Sequence, residues 1–459
     1  MTKRVAIIGG GITGLSCAYY LQQRTAESGD GLRITLIEAE DRLGGKVKTL
    51  RRDGFVIERG PDSILKRKPE GLELVEQLGL GADVVTNRTG RSYILKDDAL
   101  HPIPDGSVMG VPTSLRPLLK SGLLSMDGKA RALNDLFIPK LGDFDDLSVG
   151  EFFRKRLGDE MVDHLIGPLL SGIYAGDIDQ LSLEAALPQF INIEKRYGSL
   201  ILGLRETMPK RGKSEGQFAT LTTGLNAVID ALADALDSEA VSIMTGVEAE
   251  SFEKDDNGYY IGLSDGTAVE ADYVVFAVPH RVAERLIGAD FLRRDRVAPD
   301  TSVATIAMAF AREDVEMSKD GTGFVVSRRE PKAITASTWT HLKWPHTAPE
   351  GKALIRCYVG KPNDPGIIEK TDDELVAIAI KEMSGTVAIK GEPDFAVVTR
   401  WPLAMPQYPV GHKRWLAEIT ARLARDFPNV YLAGASYDGV GIPDCIRQAR
   451  SAAQNITAS

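Results

Sequence analysis

Three glycines spaced as Gly9, Gly11 and Gly14, with a fourth at Gly10, stand between the apolar run Val5–Ile8 and a helix-like stretch opening at Ile12 and Thr13. That spacing can cradle a pyrophosphate. The first glycine allows a tight strand-to-helix turn, the second lets backbone approach phosphate, and the third lets the helix pack closely. The helix then aims free N–H groups and its positive dipole end at the anion. A second apolar run, Ile34–Ile37, ends at Glu38. This acid lies slightly beyond the usual interval of about 20 residues, because the polar insertion Thr25–Gly31 lengthens the connection. A carboxylate there suits unphosphorylated ribose hydroxyls and repels a 2′-phosphate, which favours FAD or NAD over NADP. A glycine turn without ligand is the alternative, and the strand, turn, helix, strand context argues against it.

The chain that positions these residues has 459 of them, too many for one hydrophobic core, and two or three domains are expected. With 43% hydrophobic and 26% charged residues it has the composition of a folded protein. Lys and Arg total 55 against 64 Asp and Glu, a formal charge of -9, so no nucleic-acid partner is expected. The start, MTKRVAIIGG, reads as a strand, because glycines interrupt its apolar run before any cleavage signal. Apolar runs stay short of the roughly 18 to 20 residues that span a bilayer. Cys17, Cys357 and Cys445 are far apart, which fits a reducing, cytoplasmic compartment. The six histidines are scattered, and no metal site is expected.

After Glu38 and Ala39, Arg42, Gly44, Gly45 and Lys46 form a flexible basic turn, and Glu58, Gly60, Pro61, Asp62 and Ser63 follow. This series resembles the extended fingerprint of the amine-oxidase-like flavoenzyme superfamily. The resemblance implies non-covalent FAD and an α/β fold with α+β insertions. Its parts are a Rossmann-like FAD-binding domain of the amine-oxidase/PHBH type, a mixed-sheet substrate domain and a helical subdomain. By the same resemblance, Val247 meets adenine through its backbone and Trp401 covers the flavin. Gly434, Gly439 and Gly441 permit close backbone approach, the backbone from Val440 through Gly441 and Ile442 to Pro443 faces the flavin ring, and no flavin-linking cysteine stands in GASYDGVG. A terminal helix from near Pro443 aims its dipole at the electron-rich side of reduced flavin.

The expected domains are discontinuous: 1–70, 215–280 and 426–459 for FAD; 71–84, 200–214 and 281–425 for substrate; 85–199 for the helical part. In the last, Ser148 and Glu151 suggest a capping box and Gly158 a helix end. Ser114–Met126 offers a short amphipathic surface for transient membrane contact. The substrate region is strand-rich around 301–310, 323–344, 353–360 and 395–401, with a helix over Asp373–Met383.

The blocks RGPDSILKRK, HPIPDGSVMGVPT, PLLSGIYAGDIDQLSL, GTGFVVS, TRWPLAMPQYPVGHK and GVGIPDCI more specifically resemble the oxygen-dependent protoporphyrinogen/coproporphyrinogen oxidase family of haem biosynthesis, in its soluble Gram-positive form. The resemblance implies a porphyrinogen substrate and O2 as acceptor; a monomer or a homodimer is expected, and no motif identifies an interface. Substrate propionates call for cations, and Lys66, Arg67 and Lys68 are the candidates, with Lys68 matching the family's basic position. Ile173 and Tyr174 are candidate cavity-wall residues. Alternatives are an amine oxidase, a phytoene-desaturase-like enzyme and a non-catalytic FAD-stabilised scaffold. No acid/base dyad stands out, consistent with a reaction carried by the cofactor.

Overall fold

The computed structural model describes residues 2–28, 31–87, 91–207, 216–294 and 299–458. Residues 208–214 of the expected substrate domain and Glu215 of the expected FAD domain lie outside them.

A five-stranded parallel sheet holds the glycine motif. Its strands run in the order Val241–Met244, Leu32–Ile37, Lys3–Ile8, Tyr273–Phe276 and Val430–Leu432. Both faces are covered, so strand residues of either parity are buried: Val5, Ile7, Leu36 and Val275 face one core, Ala6, Ile8, Val274 and Phe276 the other. Two-sided burial is why these strands read as continuous apolar runs. On the first face the helices Ile12–Ser28 and Ile442–Ala458 pack together through small residues, Cys17 and Ala18 against Ala449, Ala452 and Ala453. The helix Asn226–Asp234 joins them with Val228, Ile229 and Leu232 buried. The other face carries the antiparallel sheet of Ala249–Asp255, Gly258–Leu263 and Ala268–Ala271, turning at Asp265 and Gly266.

The second sheet is mixed and seven-stranded: Phe395–Met405, Thr301–Ala311, Lys352–Val359, Ile334–Trp339, Gly323–Val326, Ser92–Lys96 and Ala99–Pro102. The helix Asp372–Met383 buries Leu375, Ala379 and Met383 against it. Thr371 and Glu374 form a full capping box at its start, one residue before the expected boundary.

The third layer is helical. Phe152, Phe153, Leu165, Ile166 and Leu170 are fully or almost fully buried in it. Ser148 accepts the Glu151 N–H at 3.0 Å, but Glu151 pairs with Lys155 at 2.7 Å, so the expected capping box is only half made. Gly158 (φ 88°) does end that helix. A π-turn, Val162–Ile166, then inserts an extra residue before the helix Gly167–Tyr174, a distortion that often accompanies functional sites. Arg154 and Arg329 both pair with Asp163, and Arg328 pairs with Asp177, which fastens this layer to the mixed sheet.

Three stretches pack differently from the expected domain boundaries. The hairpin Ser92–Pro102 pairs with the mixed sheet, parallel to Gly323–Val326, rather than with the helices. Leu200–Thr207 buries Leu200, Ile201 and Leu204 in the helical core. The helix His412–Asp426 sends Ile419 and Leu423 into the core beneath the parallel sheet. Each shift follows from long-range pairing that local periodicity does not encode.

Candidate active site

Local backbone geometry explains the glycine loop. Gly9 has φ 108° and donates its N–H to Ile37 O at 2.7 Å; a Cβ there would lie 2.6 Å from Ala277 O. A Cβ at Gly14 would lie 1.9 Å from Gly9 O, so the third glycine is required by helix packing, as its place in the motif implies. At Gly11 a Cβ would meet no atom within 4 Å. The middle glycine therefore borders open space, which is what a phosphate cradle needs.

Glu38 closes over this loop. Its Oε2 accepts the Gly10 N–H at 2.6 Å and its Oε1 the Glu40 N–H at 2.8 Å, leaving further lone pairs for hydroxyl donors. Ala39 is exposed beside it. The Val247 N–H is taken up by Glu38 O at 3.1 Å.

The second turn is stitched to the first. Gly44 N–H donates to Gly10 O at 2.8 Å, and Gly45, at φ 54°, abuts Gly11. Arg42 holds the turn by donating to the carbonyls of Leu43, Gly45 and Val47. The Lys46 ammonium reaches across to Ala404 O. Burial pushes it below the usual lysine range, an effect opposed by Cys445 and Asp300 nearby.

A Cβ at Gly60 would lie 2.0 Å from Lys46 O, so the Gly60 backbone lies against this turn. Asp62 turns to the mixed sheet: it pairs with Lys343 at 2.8 Å and approaches Arg356 at 3.7 Å. Burial raises its carboxyl, but the two cations more than offset this and hold it well below the usual range. Ser63 donates to Asp62 at 2.7 Å. Any cofactor contact from Asp62 therefore falls to its backbone. Trp401 donates its Nε1–H to Arg59 O at 2.9 Å, with its ring edge beside Gly60.

The terminal loop completes the arrangement. The Thr13 side chain hydrogen-bonds the buried Cys445 thiol, and its hydroxyl lies 3.5 Å from where a Cβ at Gly434 would stand. Gly439, at φ 109°, leaves room for Asp444, whose Oδ2 accepts the Gly441 N–H at 3.2 Å. Val440 packs on the helical core and Ile442 opens the terminal helix.

Of the two residues expected to wall the substrate cavity, Tyr174 is buried and Ile173 is 41% exposed. Burial pushes the Tyr174 phenol up to about 12, so it stays neutral and is no base at physiological pH. Gln407 fixes this wall by donating to Tyr174 O at 2.9 Å and Met405 O at 3.0 Å. Lys68 does not point freely outward. Its Nζ meets Asp444 Oδ1 at 2.5 Å and Oδ2 at 2.6 Å. Arg67 is exposed, near enough to Tyr174 to act on its phenol, and among the described residues it makes no hydrogen bond or ion pair.

Sequence reasoning missed Asp444, Gln407 and Tyr408, whose hydroxyl accepts the Gly439 N–H of the terminal turn at 2.9 Å. Asp444 alone left a signal, an acid in the first turn of a helix, where the dipole favours it.

The chain matches the pattern of the family described as flavin containing amine oxidoreductase over residues 12–457. It is 45% identical over 457 residues to "Coproporphyrinogen III oxidase" of Bacillus subtilis, covering 98% of this chain and 97% of that one. It is 42% identical over 468 residues to the Staphylococcus aureus protein of the same name, covering all of both chains. A crystal structure assigned as a protoporphyrinogen oxidase, from Exiguobacterium sp. 255-15, superimposes with a TM-score of 0.90 at 38% identity, covering 100% of this chain and 99% of that one.

Proposed function

Because the chain belongs to the flavin containing amine oxidoreductase family, we propose that it oxidises coproporphyrinogen III to coproporphyrin III in haem biosynthesis, accepts protoporphyrinogen IX as well, and uses O2 as electron acceptor. The observation that carries this reading is full-length identity of 42% and 45% to coproporphyrinogen III oxidases. The cofactor is FAD, and the site fits it. Open space at Gly11, amide donors from the adjoining helix start and a carboxylate at Glu38 match a dinucleotide's pyrophosphate and ribose.

Gly9 to Gly14 and the Gly44–Lys46 turn would hold the dinucleotide, Glu38 and the Val247 carbonyl would serve its adenosine half, and Trp401 with the 439–442 backbone would line the flavin side of the site. Bound FAD supplies the hydride acceptor. The protein's own part is to hold the macrocycle, exclude water and place charge. Tyr174, held by Gln407, would form the neutral wall, and Arg67, next to the Asp444-paired Lys68, offers the propionates an exposed cation. Six electrons leave the porphyrinogen as three pairs, giving three molecules of hydrogen peroxide from three of O2. The three free cysteines, all buried, fit a reducing cytoplasm and a non-covalently held cofactor.

The test is porphyrin fluorescence and peroxide release under air with FAD-loaded protein, using coproporphyrinogen III, protoporphyrinogen IX and spermine in parallel. Faster turnover of the tetracarboxylate is expected. Activity on spermine alone would replace this reading with amine oxidation, and silence on all three would leave a scaffold.

A further inference from the structure

Lys68 is the N-cap residue of the helix Pro69–Gln77, and Asp444 lies in the first turn of the helix Ile442–Ala458. The two starts meet through a bidentate contact, and a Cβ at Gly71 would lie 3.1 Å from Pro443 Cγ. The Asp444 side chain is 10% exposed and that of Lys68 37%. Gly439 is obligatory here, since a Cβ on it would lie 2.4 Å from Asp444 Cγ. Asp444 also accepts the Gly441 N–H and raises the Tyr174 phenol. A buried carboxylate thus stands between a lysine, the cofactor-side glycine turn and the substrate-side wall. A second anion approaching Lys68 meets a charge already neutralised and a carboxylate that repels it. Arg67, one residue before, carries no such partner among the described residues.

We propose that Asp444 is a specificity-determining residue: by holding Lys68 in an ion pair it withdraws that cation from the mouth of the site and leaves substrate carboxylates to Arg67. The proposal rests on the porphyrinogen reading above. Its consequence is unusual in sign, because removing the Asp444 charge strengthens anionic-ligand binding.

The experiment is a double-mutant cycle on FAD-loaded protein, reading coproporphyrin III affinity by fluorescence and KM for coproporphyrinogen III. Asp444→Asn should tighten coproporphyrin binding and lower KM by about threefold to fivefold, the scale of a partly exposed ion pair. Asp444→Ser, which keeps an acceptor for Gly441, should do the same and serves if the amide loses FAD. Arg67→Ala should weaken binding about threefold to tenfold. Removing both partners, Asp444→Asn with Lys68→Met, should return affinity to within about twofold of the parent, since the pair is neutral. A double variant as weak as Arg67→Ala would show Lys68 gripping ligand directly and overturn the proposal, as would unchanged or weaker binding in both Asp444 variants. Absence of porphyrinogen turnover in the parent protein would instead strike the functional reading, so the two failures are separable.

Discussion

Tyr408 and Gly439 are joined by a hydrogen bond in which the Gly439 N–H donates to the Tyr408 hydroxyl at 2.9 Å, while that hydroxyl donates to Ala435 O at 2.6 Å. One side chain thus spans both ends of the terminal glycine turn. Burial drives its phenol far above the usual range, so it serves only as a neutral bridge. Tyr408→Phe leaves a buried N–H and a carbonyl unpaired, and a loss of about 1–3 kcal/mol is expected. Thermal unfolding and FAD dissociation measured together check this, with FAD release faster in the variant.

Gly11 and Gly14 should fail in different ways. Gly11→Val meets open space, so the apo protein should melt within about 0.5 kcal/mol of the parent yet hold no flavin. Gly14→Ala drives a methyl into Gly9 O and should destabilise the apo protein as well. Flavin absorbance and apo-protein melting separate the two, and normal flavin content in Gly11→Val would remove this loop from the cofactor site.

Acid should unfold the protein through two buried histidines. Burial lowers His280 from 6.5 to about 4 and, with Arg294 beside it, His412 to about 3. Both are neutral when folded, whereas the unfolded chain takes up protons near pH 6.5. Their contribution is therefore complete above pH 6.5 and is lost as pH falls from there toward 4 and 3. Melting temperature should be flat from pH 7 to 8 and fall below pH 6, and His280→Gln should flatten the decline.

Arg156 and Asp135 form a wholly buried pair at 2.7 Å in the helical layer, and Ser199 and the Ile201 N–H also donate to Asp135. Asp135→Ala leaves the guanidinium buried without its main partner, at a cost of about 3–5 kcal/mol. Urea denaturation should show this, with the porphyrinogen KM rising as the wall at Tyr174 loosens.

The nucleotide loop was legible because its constraints are local. Gly9, Gly14 and Glu38 lie within one strand, helix, strand unit, and their spacing is the geometry itself. The membership of the mixed sheet was less so, since nothing around Ser92 announces that it pairs with Gly323. The Asp444–Lys68 contact hid for a similar reason. A basic run reads as solvated or ligand-facing, and its partner lies hundreds of residues away. Gln407 and Tyr408 sit in a stretch read for Trp401, and only the folded chain shows that their side chains support Tyr174 O and the terminal turn.

The parallel sheet places the strand Lys3–Ile8 between partners that include Tyr273–Phe276, and closes its edge with Val430–Leu432. The helix Ile442–Ala458 then covers Ile12–Ser28. A ribosome therefore exposes the first strand and its glycine turn long before the segments that wall them exist. Through most of its synthesis the nascent chain carries that apolar strand without the Val430–Leu432 edge and the Ile442–Ala458 cover that complete its packing in the folded protein.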